Sequence, residues 1–566
     1  FKLGCALNGK DSYKYVDFAA IATVADSVPL TGENRDVVAE GLKLINAAPR
    51  RNYAEFLKKE EKVTSQSIAF SIAPKINAAG RMGNAKAALS LFLSDDDREI
   101  YEYSVRLTSY NLERQKYCDE LYLSAKQMLR EKGANGRIIV LCAEKWNAGF
   151  VGIVAARLAE EYCRPAMLFV KHGDSFKGSA RSVDGVNIFE ALKACDNLID
   201  EFGGHSQAAG VNVSGDNIVA LEEALNGYLL ANYTTDAFTP THYINGSYSA
   251  PPSQKFLKEL NLLEPFGVGN RKPQFAAVAE TCKIRRLKEG TAHLSVRCCG
   301  QDFVFFSGLK YSKILRSALP KQIIFEYGVS YFRGKEQFKG YVRDVVYGTD
   351  GFESANDGIM LNELQLASAK KTDCDTVYVT QPEAQSMLSE CAEYGTLFIA
   401  CQQSTIEKYD CGGREINVFT PSSGNLLSII LLSPDAECDL SGYENIVFLD
   451  NPVDVTIPSL SGKKVYVCKE IDGRAQLGEL STRRDELLSV FKCISANVYD
   501  IVGESAEEVA QLNDFGRLPA QVFFALKVFE ELGLIAFVSG RLMVNKGVKT
   551  QLNNSELYNL IEAITQ

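Results

Sequence analysis

Four short segments carry residue types that a fold rarely keeps together without a use for them. Phe202–Gly210 (FGGHSQAAG) sets His205, one of only four histidines, between a glycine pair and a run of small residues. Such backbone lies close to a ligand, and an imidazole held there can donate to a phosphate oxygen or move a proton. Phe176–Ser182 (FKGSARS) gathers a glycine, two hydroxyls and a guanidinium, with Ser179 and Arg181 at its centre. These are the parts of an anion cradle, although an edge strand could use the same letters. Ile72–Met82 (IAPKINAAGRM) places Arg81 directly behind Ala-Ala-Gly, where close backbone approach would let it fork onto a phosphate. A lone arginine is more commonly paired with a surface carboxylate. Ala22–Arg35 (ATVADSVPLTGENR) holds Asp26, a candidate ligand for a hard divalent cation; an Asp so placed is, taken alone, more often a helix cap or turn residue.

The elements that must position these residues follow from hydrophobic patterning. Tyr15–Asp26 (YVDFAAIATVAD) is almost continuously apolar and reads as a buried parallel strand with Asp26 at its C-terminal end, where open α/β sheets bind ligands. Helical periodicity covers Asp36–Ala47 and most of Leu89–Leu129. Arg137–Cys142 as strand, Gly149–Glu161 as helix and Pro165–Val170 as strand define an α/β domain ending near Tyr233. Thr234–Pro252 is loop-like. Five short strands follow (Lys283–Leu287, His293–Cys298, Phe303–Phe306, Gln322–Tyr327 and Gly340–Val346), the pattern of an oligonucleotide-binding barrel. Beyond Gly351, Thr376–Thr380, Thr396–Ala400, Asn445–Leu449 and Lys464–Val467 read as strands of another α/β domain. Ser505–Gln566 reads helix, helix, hairpin, helix, a winged-helix-like order. The fold class expected is therefore multidomain α/β with one barrel.

The chain has 566 residues, 46 % hydrophobic and 23 % charged, which excludes a mainly disordered polymer. No apolar run is long enough for a membrane span, and Phe1–Leu7 has no signal-peptide pattern, so the chain reads as starting inside something larger. Fifteen scattered cysteines contain no C-x-x-C pair, and Cys298–Cys299 is the only close couple; reduced thiols in a cytoplasmic protein fit that spacing. The net charge of −10 is unevenly distributed. Residues 281–345 hold 13 Lys+Arg against 5 Asp+Glu, whereas residues 346–566 hold 16 against 32. Phe303, Phe305, Phe306, Tyr331 and Phe332 lie within the basic island, a mixture suited to single-stranded nucleic acid, with half of these rings needed to fill the barrel. A solvated basic face would give the same charge count. The acidic terminal region suits a protein partner at least as well as DNA.

Taken together, DFAAIATVADSVPLTGENR, IAPKINAAGRM, the W-x-x-G-F-V-G-I-V-A-x-R-L spacing from Trp146 to Leu158, KGSARS, FGGHSQAAG and PFGVGNRKPQF resemble the RecJ family of single-strand-specific 5′→3′ DNA exonucleases, within the DHH phosphoesterase superfamily. The resemblance spans about 270 residues, and the acidic C-terminal third is more weakly similar to an extra domain of RecJ proteins from some Gram-positive bacteria. It implies the tail of a DHH catalytic domain over 1–85, a connecting helix over 86–136, and a DHHA1 domain over 137–233. An OB-fold with linker over 234–350, an acidic α/β domain over 351–500 and a winged-helix-like region over 501–566 would follow. It further implies two Mn²⁺ or Mg²⁺ ions in the intact family enzyme. Asp26 would be the last metal-binding aspartate, His205 would face the reacting phosphate, and Arg81, Ser179, Arg181 and Gly204 would grip the 5′ end. Arg285 and Arg286 are the barrel positions expected to hold the strand.

The D-x-D and Asp-His-His motifs that name the superfamily should precede Phe1, and no Asp-His-His occurs in the chain. Asp95–Asp97 reads as a helix cap. The metal site would then be incomplete, and this chain by itself is expected to be an inactive, monomeric piece of a DNA-repair and recombination nuclease. Two alternatives are a DHH phosphodiesterase of short oligonucleotides or cyclic dinucleotides and a non-catalytic single-strand-binding scaffold. The basic barrel argues against the first; the retained Arg81, Arg181 and His205 argue against the second for the parent protein, although it is a fair description of this chain by itself.

Overall fold

The computed structural model describes residues 1–566 except 59, 134, 289–290, 333–334, 349–354, 423, 437, 500, 502, 504, 539–540 and 546, and except the side chains of 8, 10–11, 330–336 and 512. The chain divides into two compact units. One comprises Phe1–Glu131, Arg137–Ala276 and Ile324–Arg343; the other comprises Lys132–Gly136, Ala277–Ile323 and Asp344–Gln566. The multidomain α/β fold class expected from the sequence is borne out. The boundaries expected at 350 and 500 fall on residues outside those described.

The first 93 residues are helical, which corrects one expectation. The apolar run after Tyr15 is a helix, Val16–Ala25, and not a strand; Asp26 is its exposed C-cap residue. A run apolar on every side cannot be assigned to helix or strand by periodicity, and here four alanines in ten residues favour the helix. The neighbouring helix, Gly32–Ala47, packs so closely that a Cβ on Gly41 would lie 2.3 Å from the Ala20 Cβ and 2.8 Å from the Val16 carbonyl oxygen. Asp17, fully buried in the same helix as Ala20, accepts hydrogen bonds from Arg50 Nε (2.5 Å) and Tyr53 Oη (2.7 Å), so its charge is compensated where water cannot reach it. Asp95–Asp97 caps a helix as expected: the Asp96 carboxylate accepts from the Arg98 and Glu99 amides at 2.9 and 3.0 Å. The helix so started, Asp97–Lys132, runs 36 residues.

Five strands make the next layer: β1 (Ile139–Ala143), β2 (Ala166–His172), β3 (Ser175–Arg181), β4 (Glu201–His205) and β5 (Ala208–Ser214), in the order β1-β2-β3-β5-β4. Only β1 and β2 are parallel. One face buries Met167, Phe169, Ala180, Val211 and Val213 against helices Ile188–Ala194 and Ile218–Asn232. The helix Ala148–Tyr162 packs on the other face over β2 and β3.

Seven strands follow in the order β6-β7-β11-β12-β10-β9-β8. They are β6 (Ile244–Tyr248), β7 (Gln274–Ala279), β8 (Lys283–Arg286), β9 (Leu294–Cys298), β10 (Gln301–Phe305), β11 (Lys321–Phe332) and β12 (Lys335–Tyr347). The five expected strands are present with shifted ends, and β6 and β7 are additions, β6 lying in the segment read as a loop. Proline and glycine around β6 concealed it. Phe303 and Phe305 are buried, whereas Phe306 is exposed. The side chains of Tyr331 and Phe332 lie outside the described residues.

In the acidic region, β13 (Asp375–Val379), β14 (Thr396–Ala400), β15 (Ile416–Val418), β16 (Ile429–Leu432), β17 (Asn445–Phe448) and β18 (Lys464–Cys468) form an all-parallel sheet in the order β13-β18-β17-β14-β16-β15. The C-terminal helices and the hairpin of β19 (Ile535–Val538) and β20 (Arg541–Val544) occur in the expected order. The helix Pro519–Glu531, which a DNA-reading winged helix would present to a groove, instead buries Ala520–Leu526, Val528 and Phe529 in its own core. Among the described residues, no helix is long and apolar enough to cross a membrane.

Gly41→Ala should destabilise the N-terminal helices by about 1–3 kcal/mol, because the atoms it meets include backbone and cannot yield. Urea unfolding followed by helical circular dichroism would detect this as a lowered first transition.

Candidate nucleic-acid interface

The site is built on β3. It is an interior strand, so its run of small and polar residues does not reflect an edge position. Alternation puts Lys177, Ser179 and Arg181 on one face, and the antiparallel register extends that face across the sheet. Arg181 stands opposite Ala208, which stands opposite His205; Ser179 stands opposite Gly210, which stands opposite Gly203. Arg181 and His205 thus flank one row, two strand spacings or about 10 Å apart, and the next row is a floor of glycine. A Cβ on Gly203 would meet nothing within 4 Å, and one on Gly210 would meet only the Gly203 carbonyl at 4.0 Å. The floor is open, and Gly203, Gly204, His205 and Gly210 are exposed.

The helix Ala148–Tyr162 closes the opposite side of this face. A Cβ on Gly152 would lie 2.8 Å from both Arg181 Nη2 and Ser179 Oγ, so glycine lets the helix rest on those groups where they stand. Arg181 donates through Nη1 to Ser179 Oγ and to the Ala180 carbonyl, each at 2.8 Å, which fixes the guanidinium plane. Burial lowers its pKa, and the nearby charge of Arg81 lowers it further. Arg81 ends the helix Ala73–Arg81 and donates to the Gly149 carbonyl at 2.8 Å. The close approach expected of Ala-Ala-Gly is made by buried Ala78 and Ala79, whereas Gly80 faces open space. Among the described residues, no carboxylate lies within ion-pair distance of Arg81 or Arg181. Two like charges are therefore held against the first turns of one helix, where the helix dipole also favours an anion.

His205, an exposed side chain, accepts a hydrogen bond at Nδ1 from the Gln207 amide (3.3 Å). Gly204 has φ of +154°, and a Cβ there would lie 2.2 Å from the Ala208 carbonyl oxygen, so the β4–β5 hairpin closes this tightly only with glycine. Asp26 does not join the group: among the described residues no hydrogen bond or ion pair links it to Arg81, Arg181 or His205. The segment after it is held by the PFGVGNR loop. Leu30 N–H donates to the Val268 carbonyl (2.6 Å), Arg35 donates to the Leu263 and Glu264 carbonyls (3.0 and 3.2 Å), and Ser65 Oγ donates to the Phe266 carbonyl (2.6 Å). Arg271 of the same loop pairs with Asp184, three residues beyond Arg181, at 2.7 Å. Among the described residues, no group of three or more His, Cys, Asp or Glu side chains could hold a metal ion.

In the barrel, Lys283 stands opposite Arg297 and Arg285 opposite Ser295, so Lys283, Arg285 and Arg297 share one face of β8–β9. Arg286 stands opposite buried Leu294 on the other face, although both arginines are exposed. Sequence reasoning missed the floor formed by Gly203 and Gly210, because only the strand register shows which glycines share a face.

These parts have counterparts in known proteins. Residues 135–231 match the DHHA1 domain and residues 250–344 the RecJ OB domain. The resemblance to RecJ is borne out. The single-stranded-DNA-specific exonuclease RecJ of Bacillus subtilis (strain 168) is 34 % identical over 306 residues, covering 52 % of this chain and 39 % of the relative. The RecJ of Thermus thermophilus is 35 % identical over 290 residues, covering 51 % and 42 %. The crystal structure of T. thermophilus RecJ in complex with Mn²⁺ superposes with a TM-score of 0.53 at 23 % identity over 88 % of this chain and 68 % of that one, a likeness of fold. The chain spans about two fifths of the length of these curated relatives.

Arg285→Glu should weaken single-strand binding more than Arg286→Glu, because Arg285 shares its face with Lys283 and Arg297. Fluorescence anisotropy across a salt series should show the log–log slope falling by about 0.7 for each phosphate the variant no longer neutralises. An unchanged slope would remove the barrel as the DNA surface.

Proposed function

We propose that this chain is the strand-gripping part of a single-strand-specific 5′→3′ DNA exonuclease. The observation that carries the reading is that Arg181, in one strand row with His205 beside an open glycine floor, and Arg81, on the neighbouring helix, are held against one helix end without carboxylate partners among the described residues. A terminal phosphate seated there would relieve the repulsion between Arg81 and Arg181 and accept from both. Ser179 Oγ would add a hydroxyl contact, and Gly203 and Gly210 would let the sugar and backbone lie flat against the sheet. His205 Nε2 could then donate to, or take a proton from, an oxygen of the adjacent phosphodiester. The activity for which the relatives are named, exonuclease action on single-stranded DNA, supports the same reading.

Structures of T. thermophilus RecJ have been solved with Mn²⁺ and with Mg²⁺, and divalent-metal chemistry is accordingly proposed for the intact enzyme. The described residues of this chain do not fit that role by themselves, since Asp26 stands exposed and apart from other ligating groups. This chain would therefore bind and orient the strand. We further propose that the acidic C-terminal region meets a protein.

Arg181→Ala should weaken binding of a 5′-phosphorylated oligonucleotide by about 10- to 100-fold, the range for one charge-assisted hydrogen bond, and leave the 5′-hydroxyl form less affected. Equal losses for both forms would exclude a 5′-phosphate seat. The 566-residue chain with Mn²⁺ and end-labelled single-stranded DNA should release no mononucleotide above buffer. Processive release would overturn the division between gripping and cutting.

A further inference from the structure

Three thiols stand together in the barrel, apart from the site above. The register of β8 and β9 pairs Lys283 with Arg297, and continuing it by one residue sets Cys282 directly opposite Cys298. The hydrogen-bonding phase is fixed further along the same ladder, where Leu287 N–H donates to the His293 carbonyl at 2.9 Å. Counting back in twos makes Lys283–Arg297 a hydrogen-bonded pair and leaves Cys282–Cys298 as a non-hydrogen-bonded one, the kind whose side chains come closest. The Cys282 amide accordingly points away from β9 and donates to the Leu315 carbonyl at 2.9 Å. Pairs of this kind have Cα atoms about 4.5 Å apart, within the span a disulfide bridges.

The two thiols face each other in the core, at 6 % and 7 % exposure. The two thiols interact directly, and the Lys321 ammonium beside them lowers the pKa of Cys282. Lys321, almost wholly buried, holds its ammonium near both and donates to the Glu280 and Ser317 carbonyls; burial lowers its pKa to about 8. A buried cation beside a thiol favours the thiolate, the form that attacks a disulfide. Cys299, half-buried and next to Cys298, continues the row of sulfurs towards solvent.

We infer that Cys282 and Cys298 form a cross-strand modification site that a small-molecule disulfide converts to an intramolecular disulfide. The first thiolate, having released its proton to water, attacks one sulfur of the reagent; a mixed disulfide forms and one reagent thiolate leaves. The second thiolate then displaces the remaining half. One reagent disulfide is reduced to two thiols, which take up the two protons, while two protein thiols are oxidised to one bond. The bond would tie the sheet's last strand, β8, to β9 beneath Lys283, Arg285 and Arg297.

The test is to treat the full chain with oxidised glutathione, block the remaining thiols with N-ethylmaleimide, and map a non-reduced digest by mass spectrometry. A peptide pair joining Cys282 to Cys298 is expected, abolished by dithiothreitol and absent from the near-isosteric Cys282→Ser variant. The Cys299→Ser variant should retain it. The inference is overturned if exposed thiols take up glutathione while Cys282 and Cys298 are both recovered alkylated, or if Cys298 is found joined only to Cys299. Loss of the pair in the Cys299→Ser chain would overturn it equally.

Discussion

The lack of a side chain at Gly152 is the constraint on which the candidate site rests. With hydrogen there, the helix Ala148–Tyr162 settles onto Arg181 and Ser179; a larger residue would bring a Cβ within 2.8 Å of both side-chain ends, and the guanidinium would have to leave its place. The first turn of the same helix carries the Gly149 carbonyl that receives Arg81, so one helix end positions both cations. The arrangement carries an electrostatic cost, since Arg181 is partly buried and has the exposed Arg81 as a like-charged neighbour. Such strain is tolerated where a ligand relieves it.

Much of this arrangement was legible in the sequence. KGSARS and FGGHSQAAG stood out because glycine, hydroxyl, guanidinium and imidazole are costly to place together, and the register brings Arg181 and His205 into one row. What could not be read was which neighbours share a face. Gly203 and Gly210 became a floor only once β3, β5 and β4 were aligned residue by residue. Asp26 shows the opposite failure: an apolar run looked like a strand delivering a ligand at its tip, but alanine content and packing against Gly41 make it a helix. The same chemistry at a helix end leaves the carboxylate exposed.

The barrel and the terminal region show how burial sorts residues that composition groups together. Phe303 and Phe305 fill the core while Phe306 stands outside, three rings within four positions with two different roles. In the C-terminal region the order of elements is winged-helix-like, and Pro519–Glu531, apolar around most of its circumference, is used as a core helix. Order of elements is read from sequence more easily than the side each presents, because order is local and presentation depends on partners far along the chain.

The loop that joins Leu30, Arg35 and Ser65 to Asp184 has a topological consequence. The chain leaves the N-terminal helices along Asp97–Lys132, about 54 Å of continuous helix, builds the sheet, and then returns through Pro265–Arg271 to fasten on the helices it left. Helix, sheet and loop thereby form a closed circuit, partly covalent and partly hydrogen-bonded. Without the bonds to Leu30, Arg35 and Ser65, the circuit would be open, and the helices and the loop would be joined only through the covalent chain.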